Sequence, residues 1–160
     1  MLKIFGLPAH PLFVHLPIVL LPLVSILAVV AAVRPRVQRF FGWWLPVMAV
    51  VVLAMVQFAT MTGTKLDANL NLGNTAKHRH LAETTRIFAF GLVVATLGQW
   101  WFGRQATREA QAATSTARGR QLAMAFSALS VVLALLSTVW VARTGHEGAK
   151  IHWSGMLKAK

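Results

Sequence analysis

With no cysteine among its 160 residues, the chain's ligand chemistry rests on six histidines and four carboxylates. The histidines fall in three pairs, His10 and His15, His78 and His80, His146 and His152. Imidazole is the commonest metal ligand, an axial ligand of haem, and a group that titrates near neutrality. His15 stands inside a long uncharged run, between Pro11 and Pro17. A polar group buried there must be bonded, either as a ligand or as a neutral ring held by a freed carbonyl or interfacial water. His80 and Glu83 are three residues apart and share a face on a helix. His146 lies in Thr144-Gly145-His146-Glu147-Gly148, a glycine-flanked exit expected to fold a ligand back over its helix, or simply to cap it. His10, His78 and His152 read as exposed loop histidines.

Stronger chemical signatures are missing. There is no H-E-x-x-H, Glu-x-x-His pair, P-loop or G-x-S-x-G in the sequence. Without cysteine, a disulfide framework, a thiolate zinc or iron–sulfur site and c-type haem are excluded. Ser25, Ser127, Ser130 and Ser137 sit in uncharged runs and read as packing residues, so a hydrolytic triad is not expected.

The elements that position these groups follow from hydropathy. Hydrophobic residues make up 56% and charged residues 12%, about half the charge of an average soluble domain. Mean hydropathy is +0.60. Four apolar spans, at about 12–33, 43–62, 84–103 and 121–142, approach or exceed the roughly 20 residues that cross a bilayer core. Three are uncharged, and the third in order is uncharged only between Arg86 and Arg104 and borrows residues before Arg86. Barrel strands are shorter and alternate polar with apolar, so the spans are helices. The sequence therefore predicts an all-α integral membrane protein, one transmembrane domain over 1–160 folded as an antiparallel four-helix bundle. The first run is too long for a signal h-region and is followed by Arg34, Arg36 and Arg39, so it is expected to be retained. Pro17 and Pro22 should kink it. Ser127, Ser130, Ala134, Ser137 and Val141 form a narrow stripe, as do Gly91, Ala95 and Gly98. Small residues of this kind let helices approach closely in lipid.

Net charge is +12, from 16 Lys and Arg against 4 Asp and Glu. The basic residues flank apolar runs, which fits anionic lipid headgroups and no nucleic acid. The short connections carry Arg34, Arg36, Arg39 and Arg104, Arg108, Arg118, Arg120, so they are expected inside, leaving both termini outside a bacterial cytoplasmic membrane. Trp43–Trp44 and Trp100–Trp101 then anchor the inner interface. An even number of crossings has a further consequence, whichever way the chain inserts. All six histidines, with Asp67, Glu83 and Glu147, lie at one mouth of the bundle, and Glu109 lies at the other.

The opening His10-Pro11-Leu12-Phe13-Val14-His15-Leu16-Pro17, then Thr62-Gly63, His80 and Thr144-Gly145-His146-Glu147-Gly148 together resemble a bacterial four-span membrane family, domain of unknown function 2231. The resemblance covers nearly the whole chain. It implies four transmembrane helices and, because some members are joined to a Rieske domain, respiratory redox chemistry nearby. This chain lacks the cysteines of such a domain and has Trp153-Ser154-Gly155 and a basic tail where the family more usually has Gly-Gly and an aromatic.

Three functions compete on the sequence. The first is a redox or metal-binding membrane protein, in which two of His15, His80 and His146 hold a b-type haem or another metal ion, with Glu83 and Glu147 as further ligands or anchors. A redox partner or quinone would complete its electron path. The second is a non-catalytic subunit that docks a larger membrane complex. The third is a transporter, against which stands the scarcity of polar groups deep in the spans, Gln57 and Gln99.

Overall fold

A computed structural model describes residues 3–4, 7–8, 13–70, 75–112, 114 and 116–158. Lys3–Ile4 and Leu7–Pro8 pair as a two-rung antiparallel ladder. The rest is helical: α1 His15–Val33, α2 Pro35–Phe41, α3 Trp44–Leu70, α4 Ala76–Gln111 and α5 Ala117–Lys158. Of these, α1, α3, α4 and α5 are each long and apolar enough to cross a membrane. The all-α four-span bundle expected from the sequence is the observed architecture.

Helix ends differ from expectation for identifiable reasons. The sequence places Pro17 within the first span as a source of a kink, whereas it falls in the first turn of α1, where proline is tolerated without breaking the helix. Only Pro22 lies inside the helix. Arg34 is extended, φ −125° and ψ 98°, as the residue before Pro35 must be, and this stops α1. Pro35 then starts α2. Gly42 turns the chain into α3 at φ +49°, a conformation that disfavours a side chain. Gly63, Gly145 and Gly148, expected near helix ends, are all interior, because α3 runs on to Leu70 and α5 to Lys158. At 1.5 Å per residue α4 is about 54 Å long and α5 about 63 Å, well beyond a hydrocarbon core of about 30 Å.

The helices form a ring in chain order. The α4–α5 seam is the most extensive, followed by α5 against α1 and α3 against α4, and α1 against α3 closes the ring. Leu21, Ala28, Ala31, Leu92, Ala95 and Ala134 are almost fully buried between them. At the α4–α5 seam a Cβ on Gly98 would overlap the Phe126 ring, and one on Gly91 would sit 3.2 Å from Leu133. Further along, Lys77 pairs with Glu147 at 2.8 Å. These contacts advance in multiples of seven residues on both helices, so the seam keeps one antiparallel register, as knobs-into-holes packing requires.

The opposite end is locked by polar contacts. Gln38 of α2 donates from Nε2 to the Gln99 carbonyl of α4 at 2.7 Å. Glu109 accepts from the Thr116 backbone N–H and hydroxyl, both at 3.2 Å, tying the end of α4 to the start of α5. Trp43, Trp44 and Trp101 are about half exposed at this end, as belt residues should be.

Inside the bundle, the hydroxyls of Ser25, Ser130 and Ser137 and the Gln99 carboxamide are buried without a hydrogen-bond partner among the described residues. These serines act through size. Ser137→Ala is therefore expected to be neutral or to stabilise by up to about 1 kcal/mol, since it removes an unpaired hydroxyl at nearly constant volume. Gly98→Leu should destabilise by about 1–3 kcal/mol by driving a side chain into Phe126. Thermal unfolding in detergent distinguishes the two, and equal midpoints would show that the seam is not tightly packed.

Candidate functional site

The histidine mouth has two seams of different character. At the inner one, between α4 and α5, His78 Nδ1 lies 3.1 Å from the Thr144 carbonyl. A Cβ on Gly148 would meet the same ring at 3.1 Å, so the glycine leaves room for the imidazole. Thr85 and Thr144 hydroxyls approach at 2.9 Å. Each also contacts its own helix, Thr85 at the Leu81 carbonyl and Thr144 at the Trp140 carbonyl, both at 2.8 Å. Two hydroxyl hydrogens serve three contacts, so one threonine bridges the helices while the other bonds its own carbonyl. Trp140 carries Phe88 edge-on at 5.2 Å and the Arg143 guanidinium at 5.0 Å from its ring.

Above this seam Glu147 accepts from Lys77 at 2.8 Å and from Lys150 at 3.2 Å. Hydrogen bonds from Lys77 and then Lys150 hold its carboxyl below the ordinary value of 4.5. Glu147 is thus engaged with two ammonium groups.

The outer seam joins α5 to α1. Gly145 faces Ile18, whose Cδ1 would lie 3.4 Å from a Cβ on the glycine. Successive helical residues turn by about 100°. Thr144 and Gly148 face α4 and Gly145 faces α1, so His146 falls on the outer side of the α1–α5 seam. On α1, which runs opposite to α5, His15 lies about 60° round from Ile18 toward that same outer side. Rises of 1.5 Å per residue put His15 and His146 within about 3 Å of each other in height. Both are exposed. Phe13 packs edge-on against Phe58 of α3 at 5.0 Å, fixing the start of α1.

His80 is placed differently. Two residues beyond His78, it lies about 200° round α4 and faces away from α5. It and Glu83 are exposed on that outer surface of α4. Helix geometry thus puts positions 15 and 146 along the same outer seam, and His80 and Glu83 on a different face of α4. Among the described residues, no group of three or more His, Asp or Glu is arranged to hold a metal ion. His10 and the side chain of His152 lie outside the described residues. His78, read from the sequence as an exposed loop histidine, is half-buried and joins the α4–α5 seam. Its three- and seven-residue spacing to Leu81 and Thr85, both buried, is the signal that places it on the inner face.

These features define a polytopic membrane protein, a four-span helical bundle in which His15, His78, His80 and His146 lie toward one mouth. The model of the family described as Predicted membrane protein (DUF2231) matches residues 6–160, and the chain belongs to that family. No curated protein and no solved structure matches it.

Loss of the Glu147 charge is expected to loosen the end of α5. The carboxyl is depressed when folded, so its contribution is full above 4.5 and is lost as pH falls through the lowered value. A nitroxide at exposed position 149 should become more mobile over that acid range. Glu147→Gln should raise mobility at neutral pH and remove the acid step. An unchanged step in the variant would assign it to another group.

Proposed function

We propose that this protein binds a b-type haem, or another histidine-ligated metal ion, in the outer α1–α5 groove, with His15 and His146 as the ligand pair. The observation that carries this reading is the Gly145–Ile18 contact, which puts the two imidazoles on the same side of one seam at nearly equal height. The close approach of α1 and α5 at Gly145 would let imidazoles on the two helices address one centre. A ligating imidazole needs an acceptor for its other N–H. Pro17 supplies none of its own N–H to the Phe13 carbonyl, which leaves that oxygen available beside His15. Bound haem would exchange single electrons, so a quinone or redox partner at the same mouth completes the path. The dense arginines of the two short connections favour placing that mouth outside a bacterial cytoplasmic membrane.

The second reading is an accessory subunit of a larger membrane complex. It is favoured by the Lys77–Glu147–Lys150 network, which stiffens a basic two-helix projection ending near exposed Trp153.

Visible spectra of the detergent-purified protein, oxidised and then reduced, separate the two. Haem binding predicts a Soret band that His15→Ala and His146→Ala each abolish or shift and His80→Ala leaves unchanged. A spectrum unaffected by His146→Ala, or wild-type protein free of haem and metal, would remove this reading. Co-purification with a larger complex that is lost on reversing Lys77 and Lys150 to Glu would support the accessory role instead.

A further inference from the structure

A second feature, remote from the histidine seam, lies between α3 and α4. There Val50, Leu53, Ala54, Ile87 and Phe90 line an apolar cavity of about 490 Å³, closed at one end by Gln57 and Arg86. The Arg86 guanidinium donates from Nη1 to Gln57 Oε1 at 3.3 Å. Ile87 and Phe90 are 65% and 60% exposed, so the cavity is an open lateral groove.

Its depth in the bilayer follows from helix rise. Gln57 is about 20 Å along α3 from Trp44, and Arg86 about 22 Å along α4 from Trp101. With those tryptophans at one boundary of a core about 30 Å thick, the guanidinium stem starts about 8–10 Å inside the opposite boundary. A charge at that depth needs a counter-charge or a route to the headgroups. Among the described residues both ion pairs belong to Glu147, and neither involves Arg86. Glu83 sits one turn nearer the water, beyond ion-pair distance. The long arginine side chain can rise toward the interface, but its partner within the bundle is a neutral amide.

We propose that this groove is a binding site for an anionic glycerophospholipid. The phosphate pairs with Arg86, to which planar N–H donors are suited, and with the amide nitrogen of Gln57. One acyl chain lies along the apolar floor toward Val50. Charge decides between occupants. A quinone ring offers only neutral carbonyls, and a zwitterionic lipid brings an ammonium with its phosphate, so only an anionic lipid leaves the occupied site neutral overall. The volume falls within the usual range of small-molecule sites, about 300–1,000 Å³.

The test uses the full chain in detergent, titrated with phosphatidylglycerol or phosphatidylcholine. Lipid retained after detergent exchange is read by mass analysis, and thermal midpoint by unfolding. Wild type should retain phosphatidylglycerol over phosphatidylcholine and be stabilised only by the former. Arg86→Gln should lower retention about five- to tenfold, and Arg86→Lys should keep much of it. Ala54→Phe, which fills the groove and leaves the arginine in place, should lower retention as well. Equal retention of the two lipids by wild type, or full phosphatidylglycerol retention by Arg86→Gln, overturns the proposal. So does a retained quinone that phosphatidylglycerol does not displace. If Arg86→Gln does not fold, undiminished retention by Ala54→Phe overturns it on its own.

Discussion

The axial register of α4 against α5 governs what this molecule can present at its mouth. Lipid is as apolar as leucine, so the helices gain nothing from hiding grease and must gain from contact instead. Gly98 receives Phe126 and Gly91 receives Leu133, two steps of one seven-residue interval. A slip by one residue would set a residue with a side chain where each glycine now receives Phe126 or Leu133. The same interval, carried on past the core, delivers Lys77 to Glu147, with His78 and Thr144 alongside. Polar contacts outside the hydrocarbon are therefore set by steric ones within it.

This division of labour explains the unequal helix lengths. Hydrophobic thickness accounts for about 20 residues of each span. The remainder of α4 and α5 is held in water by its own pairs, the lysines about Glu147 at one end and Glu109 about Thr116 at the other. Glu109, the single carboxylate away from the histidines in the sequence, acts there as a hairpin clasp. On the short side of the bundle, Pro35 and Gly42 bend the chain through α2, and Gln38 fastens it to α4.

The number of crossings, their antiparallel order and the shared end of His15, His78, His80 and His146 were readable from apolar run length alone. The buried stripe of Ser130, Ala134, Ser137 and Val141 was readable from small residues at helical spacing. Helix ends were not, since hydropathy stops at the bilayer while Lys77, Glu147 and Lys150 carry the helix onward. Glycine misled in the same place. Gly145 and Gly148 look like stop signals, yet both are inside α5, where Gly145 packs near Ile18 and Gly148 makes room for the His78 ring. That clearance depends on which helix lies opposite, and one-dimensional spacing does not carry it. Nor does it carry the separation of His80 from His146, which follows from the direction each helix turns away from its partner.

The groove between α1 and α5 joins the first membrane crossing to the last. The α4–α5 pair shares a short connection and can close as soon as both are synthesised, but this groove must wait for α3, α4 and α5 to follow α1. Residues 34–116 of the chain lie between its two walls. Biogenesis therefore has a fixed order at this place: the seam can form only after α3 and α4 have been made and α5 has followed them, and a nascent product stopped before α5 has one wall of it.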